Sequence, residues 1–104
     1  MTREVIFAPE ALTDLLELYD HIATSSGAER AHNYTDRIVA TCRNLLTFPK
    51  RGTPRDDLRP GLRTTTYRRR VIIAFHITAT HVVIDRIAYG GRDLSALFEE
   101  EHDG

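Results

Sequence analysis

The apolar positions of this chain follow a helical period in its first half. Leu12, Leu15, Leu16, Tyr19, Ile22 and Ala23 recur every three or four residues, leaving Glu10, Asp14, Glu17 and Asp20 for solvent or a charged partner. Ala8-Pro9-Glu10 supplies the proline and acid favoured in a first helical turn, and Thr24-Ser25-Ser26-Gly27 breaks the pattern. A second stripe, Ala31, Tyr34, Ile38, Cys42 and Leu45, predicts another helix from Ala28 to about Phe48, stopped by Pro49. Two helices joined by a short polar turn make a hairpin. Ahead of it, Thr2 to Phe7 offers a short strand with Val5 and Phe7 on one side.

In the second half the pattern changes to strands. Leu62 to Tyr67 carries a threonine run, Val71 to Ile77 is apolar on both faces, and Val82 to Tyr89 is rich in β-branched residues. The two-faced Val71 segment belongs in the centre of a sheet. Between helix and sheet, 48–57 is dense in breakers and charge and reads as a surface loop, while Thr78-Ala79-Thr80 lacks the usual Asn-Gly hairpin signal. The tail from Leu94 predicts one helical turn before Glu99-Glu100-Glu101. The order strand-helix-helix-strand-strand-strand predicts an α+β fold, with the helices on one face of a largely antiparallel sheet.

With 104 residues, 41% of them hydrophobic, residues 1–104 are expected to form a single domain. Cys42 is the only cysteine, so no internal disulfide forms, and its place on the apolar stripe reads as a small core residue. Arg3 and Glu4 interrupt any signal-like start, which points to a cytoplasmic protein. The longest apolar run, Val71 to Phe75, is far below the roughly 20 residues that span a bilayer, so no membrane partner is expected. A net charge of -1 conceals an asymmetry, because from Lys50 to Arg92 ten basic residues face only Asp56, Asp57 and Asp85. All but Lys50 are arginines, which fork onto carboxylate or phosphate. That half suits an anionic partner, nucleic acid or acidic peptide, or else is a solvated surface. No metal-ligand spacing, nucleotide-binding glycine loop or nucleophile elbow is present, so no metal and no cofactor are expected. The second helix carries Arg30, Arg37 and Arg43 without a recognition-helix pattern.

Several segments resemble the ParE-like branch of the ParE/RelE toxin superfamily. They are Phe7-Ala8-Pro9-Glu10-Ala11 followed by Asp14-Leu15 and Tyr19, then Phe48-Pro49-Lys50-Arg51-Gly52, then Gly61-Leu62-Arg63, and finally Arg86-Ile87-Ala88-Tyr89-Gly90-Gly91-Arg92-Asp93-Leu94. The resemblance implies the toxin of a type II toxin-antitoxin system, acting in plasmid or chromosome maintenance or stress response. ParE-like members are implied to inhibit DNA gyrase without being enzymes. A cognate antitoxin would neutralise the toxin in a hetero-oligomer such as a heterotetramer. RelE-like relatives instead cleave messenger RNA in the ribosome, which is the alternative reading and leaves enzyme status open. Fold does not choose between them.

A ribonuclease of the RelE kind needs an acid/base pair and cations for the phosphorane charge. Arg63, Arg68, Arg69, Arg70 and Arg86 supply cations, but there is no glutamate between Arg30 and Phe98 and Lys50 is the sole lysine. His76 and His81, within a strand and at a strand entrance, read as structural or exposed. The alternative therefore rests on Arg63, Arg70, Arg86 and Tyr89 as catalytic set, and direct nucleic-acid binding is expected only there. In the ParE-like reading no residue is catalytic. Tyr89, Arg92, Leu94 and Phe98 would meet the target, with Gly90 and Gly91 turning the backbone to present them. A structural alternative has Leu94, Leu97 and Phe98 cap the core and Arg92 pair locally with Asp93. Arg63, Arg68, Arg69, Arg70 and Arg86 would meet acids of an antitoxin segment folded over the hairpin and sheet edge.

Overall fold

The computed structural model describes residues 3–47 and 51–102. Strand β1 (Glu4–Phe7) leads into helices α1 (Pro9–Ser26) and α2 (Ala28–Asn44), then strands β2 (Thr53–Pro54), β3 (Arg63–Tyr67), β4 (Val71–Ile77) and β5 (His81–Tyr89), and helix α3 (Leu94–His102). The five strands form one sheet in the order β1-β5-β4-β3-β2, parallel only between β1 and β5. The α+β class and the order of elements are as the sequence predicts, and β4 is the central strand. Among the described residues no helix is long and apolar enough to cross a membrane.

The hairpin α1–α2 covers one face of the sheet, where Leu18, Ile38, Cys42 and Leu45 meet Val71, Ile73, Phe75, Val82, Ile84 and Ile87. Gly27 alone joins the two helices; its φ of 97° is one that side-chain-bearing residues rarely adopt. The opposite face carries a second cluster of Leu62, Ala74, Ala88, Leu94 and Phe98. The tail is thus a full helix rather than a single turn, because Leu94, Leu97 and Phe98 recur at helical spacing and find this face to cover. Asp93 caps it, its carboxylate accepting from the Ser95 N–H at 2.9 Å, and Arg92 pairs with Glu17 and Asp14 on α1 rather than with Asp93.

Three further expectations are corrected, and the turn left open at Thr78-Ala79-Thr80 is resolved. The fully buried stripe of α1 is Ala11, Asp14 and Leu18; of the predicted stripe Leu15 and Ile22 pack partly buried against the core, whereas Leu12 and Leu16 are 48% and 66% exposed. Helix α2 ends at Asn44 and a turn follows to Thr47; the predicted stop at Phe48-Pro49 lies outside the described residues. The loop after it contains β2, a two-residue strand paired with Thr64 and Arg63. At residues 78–81 the turn is closed by Thr78, whose hydroxyl accepts from the His81 N–H at 2.9 Å and the Thr80 N–H at 3.3 Å.

Gly52 shows why the loop before β2 needs glycine. Its φ is 91°, and a Cβ there would be driven into the Thr64 carbonyl oxygen across the strand pair.

Candidate functional site

The end of β5 is positioned by a buried carboxylate on α1. Strand β1 accompanies β5 only as far as the Phe7–Ile84 pair before the chain turns into α1, which leaves the edge of β5 beyond Ile84 without a strand partner on that side. Asp14 takes over. Its carboxylate accepts from the Ile87 N–H at 2.9 Å and from the Arg86 guanidinium at 2.8 and 3.0 Å, a two-pronged ion pair. Arg92 stands at the rim of this cluster, 3.9 Å from Asp14 and 3.6 Å from Glu17. Its guanidinium lies 5.3 Å from the centre of the Tyr89 ring, which in turn lies 6.1 Å from the ring of His21. Tyr89 is half-buried and Arg92 exposed, so together they give the surface at the end of β5 an aromatic and a cationic element.

Tyr89 also lines an open groove between the helical hairpin and the β3–β4 turn. Arg30 and Arg37 of α2 form one wall, and Arg68, Arg69 and Arg70 the other. Arg68 and Arg69 have φ of 52° and 61°, and the Arg70 N–H closes the turn onto the Tyr67 carbonyl at 3.2 Å. Two consecutive positive φ values mark a type I′ geometry that favours Asn-Gly. Holding residues with a Cβ there costs about 1–2 kcal/mol each. Arg68 recovers some of this by lying 5.5 Å over the Tyr67 ring.

A second polar cluster lies on the α3 side. Between Ala74 and Phe75 the β4–β5 register slips, with Ala74 opposite Arg86 and Phe75 opposite Ile84, so Asp85 is the extra residue of a bulge. Asp85 is buried and takes an ion pair from Arg59 at 2.8 Å and a bond with His76 Nδ1 at 2.7 Å. Arg59 also lies 5.0 Å over the Phe98 ring. His76 is therefore tied into the fold, in keeping with its reading as structural. Burial pushes the Cys42 thiol up to about 12 and keeps it protonated and inert, the reverse of what a reactive cysteine needs. Among the described residues no group of three metal-ligating side chains is clustered.

The residues singled out in the sequence are thus dispersed. Arg70 and Tyr89 share the groove, but Arg86 is occupied by Asp14, and Arg63 sits at the far end of β3 beside the Arg51 and Gly52 carbonyls. Four steps along β3 separate Arg63 from the Tyr67–Val71 pair, which at about 3.3 Å per residue is roughly 13 Å. Leu94 and Phe98 are buried under the sheet and serve its second core, which corrects their expected place on the target surface. Of the two places the sequence left open for Asp14, solvent or a charged partner, the structure gives the second, with Arg86 as the partner; sequence reasoning missed its burial and the pairing of Arg30 and Arg37 with the Arg68–Arg70 turn.

The family model for the ParE toxin of type II toxin-antitoxin systems, parDE, matches residues 5–94. The chain belongs to this family. It is 32% identical over 83 residues to Toxin ParE3 of Caulobacter vibrioides, covering 80% of this chain and 82% of that protein. A solved structure of the chromosomal ParDE system from P. aeruginosa superposes with a TM-score of 0.73 at 28% identity, over 86% of this chain and 96% of that one. The family match spans both halves of the Asp14 network, from α1 to the end of β5. This ParE-family chain is thereby the toxin component of a type II system in fold and sequence.

Proposed function

We propose that this ParE-family toxin inhibits DNA gyrase through protein contacts, without catalysing a reaction, and that a cognate antitoxin neutralises it. The observation that carries the reading is the pair Tyr89 and Arg92, held at the end of β5 by the buried Asp14 carboxylate and offered to solvent. The dispersal of Arg63, Arg70 and Arg86 supports contact over catalysis, since phosphorane stabilisation needs cations converging on one point. Such a target places the protein in the cytoplasm. Purified protein should stop gyrase supercoiling and leave ribosome-bound messenger RNA intact. Arg92→Ala should weaken inhibition with little change in melting temperature, because its side chain is 40% exposed and its ion pairs, at 3.6 and 3.9 Å, are long and worth about 0–1 kcal/mol. If that variant unfolds, or inhibits as strongly as the parent, the contact role of Arg92 is wrong.

For the antitoxin, the exposed Leu12 and Leu16, one turn apart on α1, give an amphipathic segment something apolar to cover. Exposed arginines beside the hairpin would add a salt-sensitive component with its acids. Failure to recover a small co-purifying partner from the native host would count against the pair. The RelE-like alternative keeps one observation in its favour: His21 and Tyr89, two groups able to move protons, lie together beside arginines. Ribosome-dependent cleavage that vanishes in His21→Ala, with gyrase unaffected, would establish it.

A further inference from the structure

We propose that the groove between the helical hairpin and the β3–β4 turn seats the sugar-phosphate backbone of a DNA duplex. Five arginines line it, Arg30 and Arg37 on one wall and Arg68, Arg69 and Arg70 on the other, and among the described residues no aspartate or glutamate does. Elsewhere in the fold arginines are matched with acids: Arg55 with Asp57, Arg59 with Asp85, Arg86 with Asp14. Arg30, Arg37, Arg69 and Arg70 make no ion pair among the described residues. In a chain of net charge -1, this is a local concentration of uncompensated cations, all of the type that forks onto phosphate. Gly90 and Gly91, which complete the lining, leave the backbone bare for close approach.

The turn supplies an independent observation. Asn-Gly would form it without strain, yet two arginines are held there at positive φ, and strain of this kind concentrates where a fold presents groups to a ligand.

The shape of the groove chooses between anions. An amphipathic acidic peptide would need several apolar sockets, but of the aliphatic side chains in the lining Leu18 and Val71 are only 4% and 1% exposed, and Ile22 alone is partly exposed. A single strand would need free ring faces for its bases, whereas Tyr34 packs edge-on against Tyr67 and Tyr89 lies between His21 and Arg92. A duplex keeps its bases stacked internally and asks only for cations spaced along a backbone.

The inference goes beyond gyrase inhibition and does not depend on it. The test is fluorescence anisotropy of a labelled, mixed-sequence DNA duplex titrated with the full chain. With one phosphate per arginine, the slope of log K against log salt should be roughly -4 to -5, a loss of about 500-fold between about 50 and 200 mM salt. The double variant Arg68→Asn/Arg69→Gly removes two charges and installs the residues this turn favours. It should melt at a higher temperature yet bind more weakly, with a slope shallower by about 2 and a loss of only about 40-fold over the same range. Arg30→Gln/Arg37→Gln, on the other wall, should make the slope shallower by the same amount. No duplex binding at low salt, or parent-like binding by both variants, overturns the proposal. So does tighter binding of a glutamate-rich peptide or a single-stranded oligonucleotide of equal charge, either of which would name a different occupant. A parent chain that inhibits gyrase but binds no duplex keeps the toxin reading and ends this one; binding of duplex with gyrase untouched does the reverse.

Discussion

Asp14→Ala should remove a large part of the stability of this protein. The side chain is 3% exposed and receives three hydrogen bonds, two from Arg86, itself 11% exposed, and one from the Ile87 N–H. Taking away one partner of a buried ion pair strands the other charge, at about 3–5 kcal/mol, and the orphaned N–H falls within that range rather than on top of it. A chain of 104 residues has about 5–15 kcal/mol in total, so the loss is a third or more of a mid-range value. Asp14→Asn keeps an acceptor for Ile87 but not the charge, and should cost less, about 1.5–3 kcal/mol. Replacing the pair by apolar side chains, Asp14→Leu with Arg86→Met, should recover about half of the loss and leave about 1–3 kcal/mol for the Ile87 N–H. Urea unfolding followed by far-ultraviolet circular dichroism is the suitable assay, since the chain has no tryptophan. With m of about 1–3 kcal/mol/M, Asp14→Ala should lower the midpoint by at least about 1 M. A shift under about 0.3 M, or strict additivity of Asp14→Ala and Arg86→Ala, would refute the network as a source of stability.

Gly52→Ala should cost about 2 kcal/mol or more, from positive φ and collision with the Thr64 carbonyl together, whereas Gly27→Ala, at similar φ but facing open space, should cost only about 1–2; thermal melts of the two variants give the comparison. Phe98→Ala should cost about 3–5 kcal/mol and raise hydrogen exchange in α3 and across Ala74 and Ala88, marking Phe98 as a core residue. The native Cys42 thiol should resist thiol reagents until the chain unfolds. Its folded pKa, raised to about 12 from an ordinary 9.0, means that the folded state holds the proton longer. Its stabilising contribution is therefore complete below about pH 9 and lost as pH rises toward 12, and the alkaline decline in stability should be less steep in Cys42→Ala.

What the sequence shows and hides follows from the range of the interactions. The stripe of α2 and the two-faced β4 were legible because their burial repeats with the period of the element itself. For α1 the same logic admits two stripes one position apart. The one containing Leu12 and Leu16 has larger side chains, and the one containing Ala11, Asp14 and Leu18 is buried. Hydropathy favours the first, since it counts Asp14 against the second. The carboxylate becomes a core residue only through Arg86, 72 residues away, which no local period encodes. Strand β2 exists only by pairing with β3, and two residues carry no period. Helix α3 was hidden behind Glu99-Glu100-Glu101, although Leu94, Leu97 and Phe98 already had helical spacing. The groove was half legible: Arg68-Arg69-Arg70 is visible as a run, but the wall that Arg30 and Arg37 build against it is a product of the fold.

The segments that carried the family resemblance are related through contacts rather than by their order alone. Asp14-Leu15 in α1 and Arg86 to Arg92 at the end of β5 are two sides of one ion-pair network, required because β1 stops at Phe7, opposite Ile84, and leaves the rest of the β5 edge to a side chain. Gly52 and Leu62-Arg63 likewise meet where β2 pairs with β3, Arg63 donating to the Arg51 carbonyl at 3.3 Å. The network divides the arginines by their work. Those matched to buried acids, Arg59 and Arg86, hold strands and helices in register, and removing them should be read first in stability. Those along the groove have no such partner among the described residues, and removing Arg30, Arg37, Arg69 or Arg70 should be read first in binding. Arg92 stands between the two groups, close enough to Asp14 to be oriented and exposed enough to reach a partner. That intermediate position is what makes it the residue at which contact with a target can be separated from the integrity of the fold.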